Sequence, residues 1–528
     1  MTARLVTADT VLGFEPGTDA VLVEAGRIVA IGSAAALRRP GLIEVRHPGG
    51  TIAPGLRDAH LHPVGHAGAL RRISLKSASD FGDLSARLRA AAKVLPAGTA
   101  LIALRLDDES LAEGRLPDRT MLDATVPDRP VLLIRYCGHI AVANTATLEI
   151  AGIGMDTSEP VGGSIDRGEN RAPTGILRET AVDLAIAAVE PLAPPIEPDD
   201  LIAGAAGLAS TGLTGVGAIV STEAGCWGAA ESELDLLLEA ASRIPITMTV
   251  FVSAATAEQL ESAATRLHAA GGRLRFGGLK VFADGSLGGH TAAMHHGFAD
   301  RPKERGTDRL DPAWCLTMSR LALRLGGGVA IHAIGDRANS GVLDVMETLI
   351  AEGADPGLLR VEHASVLTEA DVARFGRLQV TASVQPAFLA SETTWLEKRV
   401  GSDRLALTYP FRSLLESGAP LAGGSDCPVE PPHPLYGVAA ARDRCGIVPE
   451  QGLDAASAWA MFTGGSAAAI GESAALEPGA PATFTVLPLD PLLATPDDLR
   501  QAEVQATYVG GSFAGPTPEA VAWNEPTQ

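Results

Sequence analysis

Cysteine, basic charge and long apolar runs are all scarce in this chain. Five of its 528 residues are cysteine: Cys137, Cys226, Cys315, Cys427 and Cys445. The number is odd and no two are spaced Cys-x-x-Cys. That excludes a disulfide frame and points to reduced thiols in a cytoplasm. Lysine and arginine total 42 against 63 acidic residues, a formal net charge of −21. Such a deficit argues against nucleic acid and anionic membranes as partners and leaves small molecules. The start, MTARLVTADTV, has no basic segment followed by an apolar run, so no signal peptide is expected. One uncharged run, Leu201 to Val220, is long enough to consider as a membrane span. It carries five glycines with Ser210, Thr211 and Thr214, and Gly212 breaks it. A helix, a turn and a strand is the better reading, so no membrane partner is expected.

What is present is material for a large core: 46% of the residues are hydrophobic. The length suits one to three domains. Residues 1–54 read as short strands, with Arg4–Val6, Ala20–Glu24 and Arg27–Gly32 separated by turn material such as Glu15-Pro16-Gly17 and Ala25-Gly26. Ala482–Leu487 and Glu503–Tyr508 repeat that pattern near the other end. Residues 1–54 and 476–528 are therefore expected to pair into one small β-sandwich, whose register the pattern cannot set. The Pro- and Gly-rich tail from Gly510 is expected to be loose.

Between these ends the pattern alternates. After a first segment at 51–60, strand candidates fall at Leu213–Val220, Ile246–Val252, Leu274–Ala283, Gly328–Ile334, Leu358–His363, Leu378–Val384 and Pro420–Ser425, with helical stretches such as Glu231–Ala240 and Gly341–Glu352 between. Eight β-segments alternating with helices predict an α/β fold, a closed (β/α)8 barrel over 55–475. The gap between the first two segments is too long for one crossover. Residues from about 63 to 205 thus read as an insertion, with further strand-like runs at Ala100–Leu106 and Pro130–Arg135.

The stretch TIAPGLRDAHLHP, residues 51–63, anchors the functional reading. In an extended segment residues two apart share a side, so His60 and His62 aim two imidazoles at one point, as a divalent metal requires. Alone the pair is weak. It gains force because ligand-type residues end later segments: Lys280 in LRFGGLKVFADGS, His332 in GGVAIHAIGD, His363 in LLRVEHAS and Asp426 in PLAGGSDCP. A barrel gathers such ends at its C-terminal mouth. Buried imidazoles and carboxylates need partners, and a metal supplies one. Lys280 sits between Leu279 and Val281 in an apolar strand, and charge logic leaves two readings. It stays an ammonium paired with a carboxylate such as Asp284, or it is partly neutral and takes up carbon dioxide as a carbamate able to bridge metals. Glu362, next to His363, is expected to face the other side of its strand. His290, His295 and His296 form either a solvated loop or a lid with substrate contacts. His47, His268 and His433 are expected to be structural or exposed. Cys427 has no base spaced to activate it as a nucleophile.

These residues together resemble the amidohydrolase superfamily, and within it the chain is similar to the YtcJ-like (amidohydrolase-3) family. The resemblance rests on GLRDAHLHP (55–63), KVFADGSLGG (280–289), IHAIGDRAN (331–339), VEHAS (361–365) and GGSDCPVEPPHPL (423–435), with PDRPVLLIRYCGHIAVANTATLEIAGI (127–153) and PTGILRE (173–179) inside the insertion. It implies a (β/α)8 barrel with an attached β-sandwich, one or two divalent metals (usually zinc, with manganese or iron open) and hydrolysis of amide or other non-peptide C–N bonds. By the same resemblance His60 and His62 bind one metal, His332 and His363 a second, and carboxylated Lys280 bridges them. Asp426 touches the metal and the attacking water, and His139 reaches toward the substrate. Two positions depart from the family. Cys137 precedes Gly138-His139 where an aspartate is usual, and His290 follows SLGG where an arginine is usual, which makes His290 a substrate-contact candidate. The alternatives left open are an ester or lactone hydrolase, a metal-dependent isomerase, and a non-catalytic binding protein that kept the fold. A homodimer is the expectation for the assembly.

Overall fold

Gly55 splits what reads in sequence as one segment. Thr51–Pro54 and Leu56–Leu61 are separate strands. The first pairs antiparallel with Phe484–Leu487, and only the second enters the barrel. A Cβ at position 55 would lie 2.4 Å from Thr214 Oγ1, so the crossing from one sheet to the other needs glycine. The computed structural model describes residues 3–75, 77–108, 110–135, 140–160, 163–168, 170–223, 232–515 and 520–522. The chain divides into two units, Met1–Pro63 with Leu201–Thr222 and Leu234–Gln528, and Val64–Asp200 with Glu223–Glu233.

The first unit holds eight strands in sequence order: β1 (Leu56–Leu61), β2 (Leu213–Ser221), β3 (Thr247–Ser253), β4 (Leu274–Phe282), β5 (Gly328–Ala333), β6 (Leu359–His363), β7 (Thr381–Val384) and β8 (Leu421–Gly423). Every neighbouring pair along this sheet is parallel. The sheet returns to β1, where the Asp426 amide donates to His60 O and the His62 amide to Cys427 O, both at 2.8 Å. The expected (β/α)8 barrel is therefore present, and all eight expected segments supply its strands.

The strands are near-continuous apolar runs because a parallel sheet is covered on both faces; β1 is buried along its whole length. Leu201 to Val220 divides into the helix Pro198–Ser210 and β2, with Gly212 at φ +93° between them. Among the described residues no helix is long and apolar enough to cross a membrane.

Strands from both chain ends form two further five-stranded sheets. One runs Ala520–Ala522, Ile43–Arg46, Arg4–Thr7, Ala20–Glu24, Arg27–Gly32; the other runs Thr10–Val11, Thr51–Pro54, Phe484–Leu487, Ala506–Val509, Ser512–Gly515. Val6, Val21 and Ile28 of the first share one apolar cluster with Ile52, Phe484 and Tyr508 of the second. The described residues of the tail pair into these sheets. Gly510 and Gly511, at φ +58° and +72°, turn the chain so that Ser512–Gly515 pairs with Ala506–Val509. Ala520–Ala522 pairs with Ile43–Arg46.

The second unit is built on a six-stranded sheet in the order Gly163–Arg167, Pro173–Glu179, Ile140–Ala143, Val131–Arg135, Leu101–Leu106, Ile73–Ser74. Leu84 and Leu88 of the helix Phe81–Val94 pack with Leu101 and Leu133. Ala181 and Ala185 of the helix Thr180–Val189 pack with Leu132 and Leu177. Alternate residues of one strand thus feed two separate cores.

Candidate metal centre

The end of β1 is fixed from both sides before any donor is placed. Asp58 accepts hydrogen bonds from the His60 amide at 3.0 Å and from the Ser425 amide at 3.0 and 3.1 Å. This carboxylate ties β1 to the turn after β8, and burial pushes it up to about 6. Asp426 follows at φ +55°, a conformation aspartate tolerates. Its Oδ1 lies 3.3 Å from His60 Nε2 and 3.2 Å from His62 Nε2. Lys280 Nζ, from β4, lies 3.4 Å from His60 Nε2. At the end of β6 the His363 ring centroid lies 5.0 Å from that of His60 and 4.5 Å from that of His332. His60, His363 and Asp426 each offer one ligand atom, and these atoms lie within 4.8 Å of one another. Five strands thus bring His60, His62, Lys280, His332, His363 and Asp426 to one place.

The charge states suit a cation. Burial, with His332 beside it, holds His363 well below the usual imidazole range, and burial also lowers His62. Both shifts favour the neutral ring, which keeps a lone pair. Burial alone would raise Asp426, but His60 beside it and the hydrogen bonds from His60 and His62 outweigh it and hold the carboxyl well below its ordinary value. Burial brings Lys280 down to about 8. Neutral imidazoles and one ionised carboxylate converging in a buried space are the donor set that a divalent metal takes.

Residues 48–514 match the model of the amidohydrolase family. The chain belongs to that family. It is 31% identical over 516 residues to the putative amidohydrolase YtcJ of Bacillus subtilis (strain 168), across 94% of this chain and 96% of that one. It is 28% identical over 527 residues to an N-substituted formamide deformylase of Arthrobacter pascens, across 93% and 94% of the two chains. An uncharacterized metal-dependent hydrolase from Pyrococcus horikoshii OT3 has a similar structure, with a TM-score of 0.71 at 27% identity over 94% of this chain and 99% of that one. The amidohydrolase is accordingly a hydrolase with a divalent-metal site.

Three histidines of this amidohydrolase centre, His60, His332 and His363, are each oriented by a second contact, and here sequence reasoning missed residues. His60 Nδ1 meets Glu362, which is fully buried and also pairs with Arg360 Nε. Glu362 was expected to face away from His363. The alternation fails because His363 is at φ +74°, so neighbouring side chains both turn toward the centre. His363 Nδ1 donates to Gln385 Oε1 at 2.8 Å. Both rings are thereby left with Nε2 for a ligand. His332 is turned the other way, with Nε2 at 3.0 Å from Gly285 O and 3.2 Å from Asp284 Oδ1, which leaves Nδ1. Asp284 also accepts from the amides of Ala293, Ile334 and Gly335 at 2.8, 3.0 and 2.8 Å. It is thus a turn anchor beside His332, and the carboxylates acting on Lys280 are Glu362 and Asp426.

His290 Nε2 lies 3.2 Å from Asp300 Oδ1, and Arg399 Nε lies 3.0 Å from Asp300 Oδ2. Its ring meets Phe298 edge-on. His295 Nε2 lies 3.3 Å from Ser340 Oγ. His47 contacts Tyr508 Oη at 3.0 Å, His268 packs edge-on against Phe276, and His433 caps the helix Pro434–Asp443. Burial pushes the Cys427 thiol up, away from thiolate chemistry. His139, Cys137 and Cys226 lie outside the described residues.

Proposed function

We propose that this amidohydrolase cleaves an amide or related non-peptide carbon–nitrogen bond with water. The observation that carries the reading is the buried carboxylate of Asp426, within 3.3 Å of the Nε2 atoms of His60 and His62. His60, His62, His332, His363 and Asp426 would hold one or two divalent metals, zinc before manganese or iron, with Lys280 as a further ligand. When bound, the metal polarises the substrate carbonyl and makes its water more acidic. Asp426 takes a proton from the attacking water and returns it to the departing nitrogen. Lys280, as the neutral amine, adds to carbon dioxide, loses a proton and becomes a carbamate whose oxygens replace the ammonium. His139 keeps the substrate-facing role that the family resemblance implies, and His290 remains a candidate for the same role. The name of the Arthrobacter pascens relative, a deformylase of N-substituted formamides, favours a C–N bond over an ester or lactone.

The same reading divides the chain into a β-sandwich of residues 1–54 and 476–528 and a barrel of 55–475 with an insertion at about 63–205. It places a homodimer in the cytoplasm. The test uses purified, metal-loaded chain on matched amide and ester panels in oxygen-18 water. Label in an amine-releasing product supports the reading; label-free product or an ester-only panel contradicts it. Asp426→Asn is expected to lower turnover by at least about a thousandfold while metal content falls far less.

A further inference from the structure

Four residues at the centre are buried, with His60 at 0%, Lys280 and His363 at 2% and Asp426 at 8% exposure, but Phe282 is 40% exposed. Phe282 ends β4 two residues past Lys280, so the two side chains share a face. Its ring lies 4.9 Å from Lys280 Nζ, and its centroid lies 5.5 Å from that of His332. A large apolar side chain left open beside buried polar donors is the informative kind of exposure. Val429 is exposed as well, and its amide donates to Asp426 O at 2.9 Å. Two guanidinium groups near these elements are already engaged. Arg360 is held by Glu362, donates to Ala59 O at 2.6 Å and to Ala469 O at 3.1 Å, and lies over the Phe251 ring. Arg399 is held by Asp300 and by the carbonyls of Leu287 and Gly288. What stands exposed beside Lys280 and His332 is therefore the apolar ring of Phe282, and neither arginine is set to receive a carboxylate.

We propose that Phe282 is a specificity-determining contact and that the substrate is a neutral amide carrying an alkyl or aryl group beside the scissile bond. This rests on the hydrolase reading above. Closing the exposed part of the ring against a substrate removes apolar surface from water on both partners, which favours a substituted amide over an unsubstituted one. A carboxylate at the same place would be desolvated with both nearby arginines, Arg360 and Arg399, already engaged elsewhere.

Acetanilide, its carboxylate counterpart 4-acetamidobenzoate, and unsubstituted acetamide test this on the metal-loaded full chain. Acetanilide is expected to exceed 4-acetamidobenzoate in kcat/KM by about tenfold or more. Phe282→Ala is expected to raise the KM for acetanilide about tenfold with a smaller change in kcat, to raise that for acetamide far less, and Phe282→Leu to recover most of the loss. Equal use of the two aryl amides, or an equal loss on acetamide, would overturn the proposal. Calorimetric binding reads the same preference without turnover. If none of the amides is hydrolysed, the amide-cleavage reading fails by itself. Acetanilide binding weakened about tenfold by Phe282→Ala then still supports the contact, and unchanged binding overturns it.

Discussion

Replacing Glu362 by glutamine tests the support beneath the metal centre. Glu362 is fully buried and bridges Arg360 Nε and His60 Nδ1. Glutamine keeps the volume and an acceptor oxygen but removes the negative charge. Two consequences have different sizes. Arg360 becomes a buried guanidinium whose remaining partners are backbone carbonyls, and breaking a buried pair in this way costs about 3–5 kcal/mol of stability. His60 keeps a weaker acceptor at Nδ1, so its Nε2 becomes less basic and less firmly aimed. Loss of such an outer partner lowers metal affinity about 10- to 100-fold, or about 1.4–2.7 kcal/mol. Chelator competition on the folded variant reads the second effect, and urea unfolding of the metal-free chain reads the first. Glu362→Asp, which keeps the charge, should recover part of the metal affinity. Wild-type metal affinity in Glu362→Gln would refute the positioning role even if stability fell.

Two further outcomes follow from other parts of the fold. Glu392 is almost fully buried, accepts from Tyr409 Oη at 2.9 Å, and is pushed up to about 8 by burial, with Glu430 adding to the shift. Between its ordinary value of 4.5 and about 8 the folded chain keeps a proton that the unfolded chain has lost, so stability falls as pH rises through that window. Glu392→Gln removes this loss, and its stability advantage over the wild type should grow by about 2–5 kcal/mol from pH 5 to pH 9 in unfolding curves; a gap independent of pH would count against it. Gly217→Ala would place a Cβ 1.9 Å from Ala59 O and push β1 away from β2. A drop of about 2 kcal/mol or more in stability, together with reduced metal content, is expected from denaturation and elemental analysis, and a neutral outcome would mean that β1 moves freely.

The barrel was legible because eight apolar runs, each bounded by turn residues, are long enough to be read without side-chain detail. The convergence of His60, His62, Lys280, His332, His363 and Asp426 was legible because they are polar residues ending such runs. Their supports were not. Glu362 is adjacent to His363, and strand alternation assigns it to the opposite face unless the positive φ of His363 is known. Gln385 lies 22 residues from the imidazole it holds, and no spacing rule joins them. Asp58 does carry a signal, a carboxylate two residues before His60 in an apolar strand, but its partner Ser425 is fixed only when β8 returns to β1. The pairing of Asp284 with His332 was hidden by a DGS sequence that also reads as an ordinary turn.

Elemental analysis of protein purified without added metal, on the wild type and on the double variant His60→Ala/His363→Ala, tests the central claim most directly. The account predicts at least one divalent metal per wild-type chain and loss of nearly all of it in a double variant that remains folded by circular dichroism. A wild-type chain that stays metal-free after zinc supplementation, or a double variant that keeps its full metal content, would contradict it.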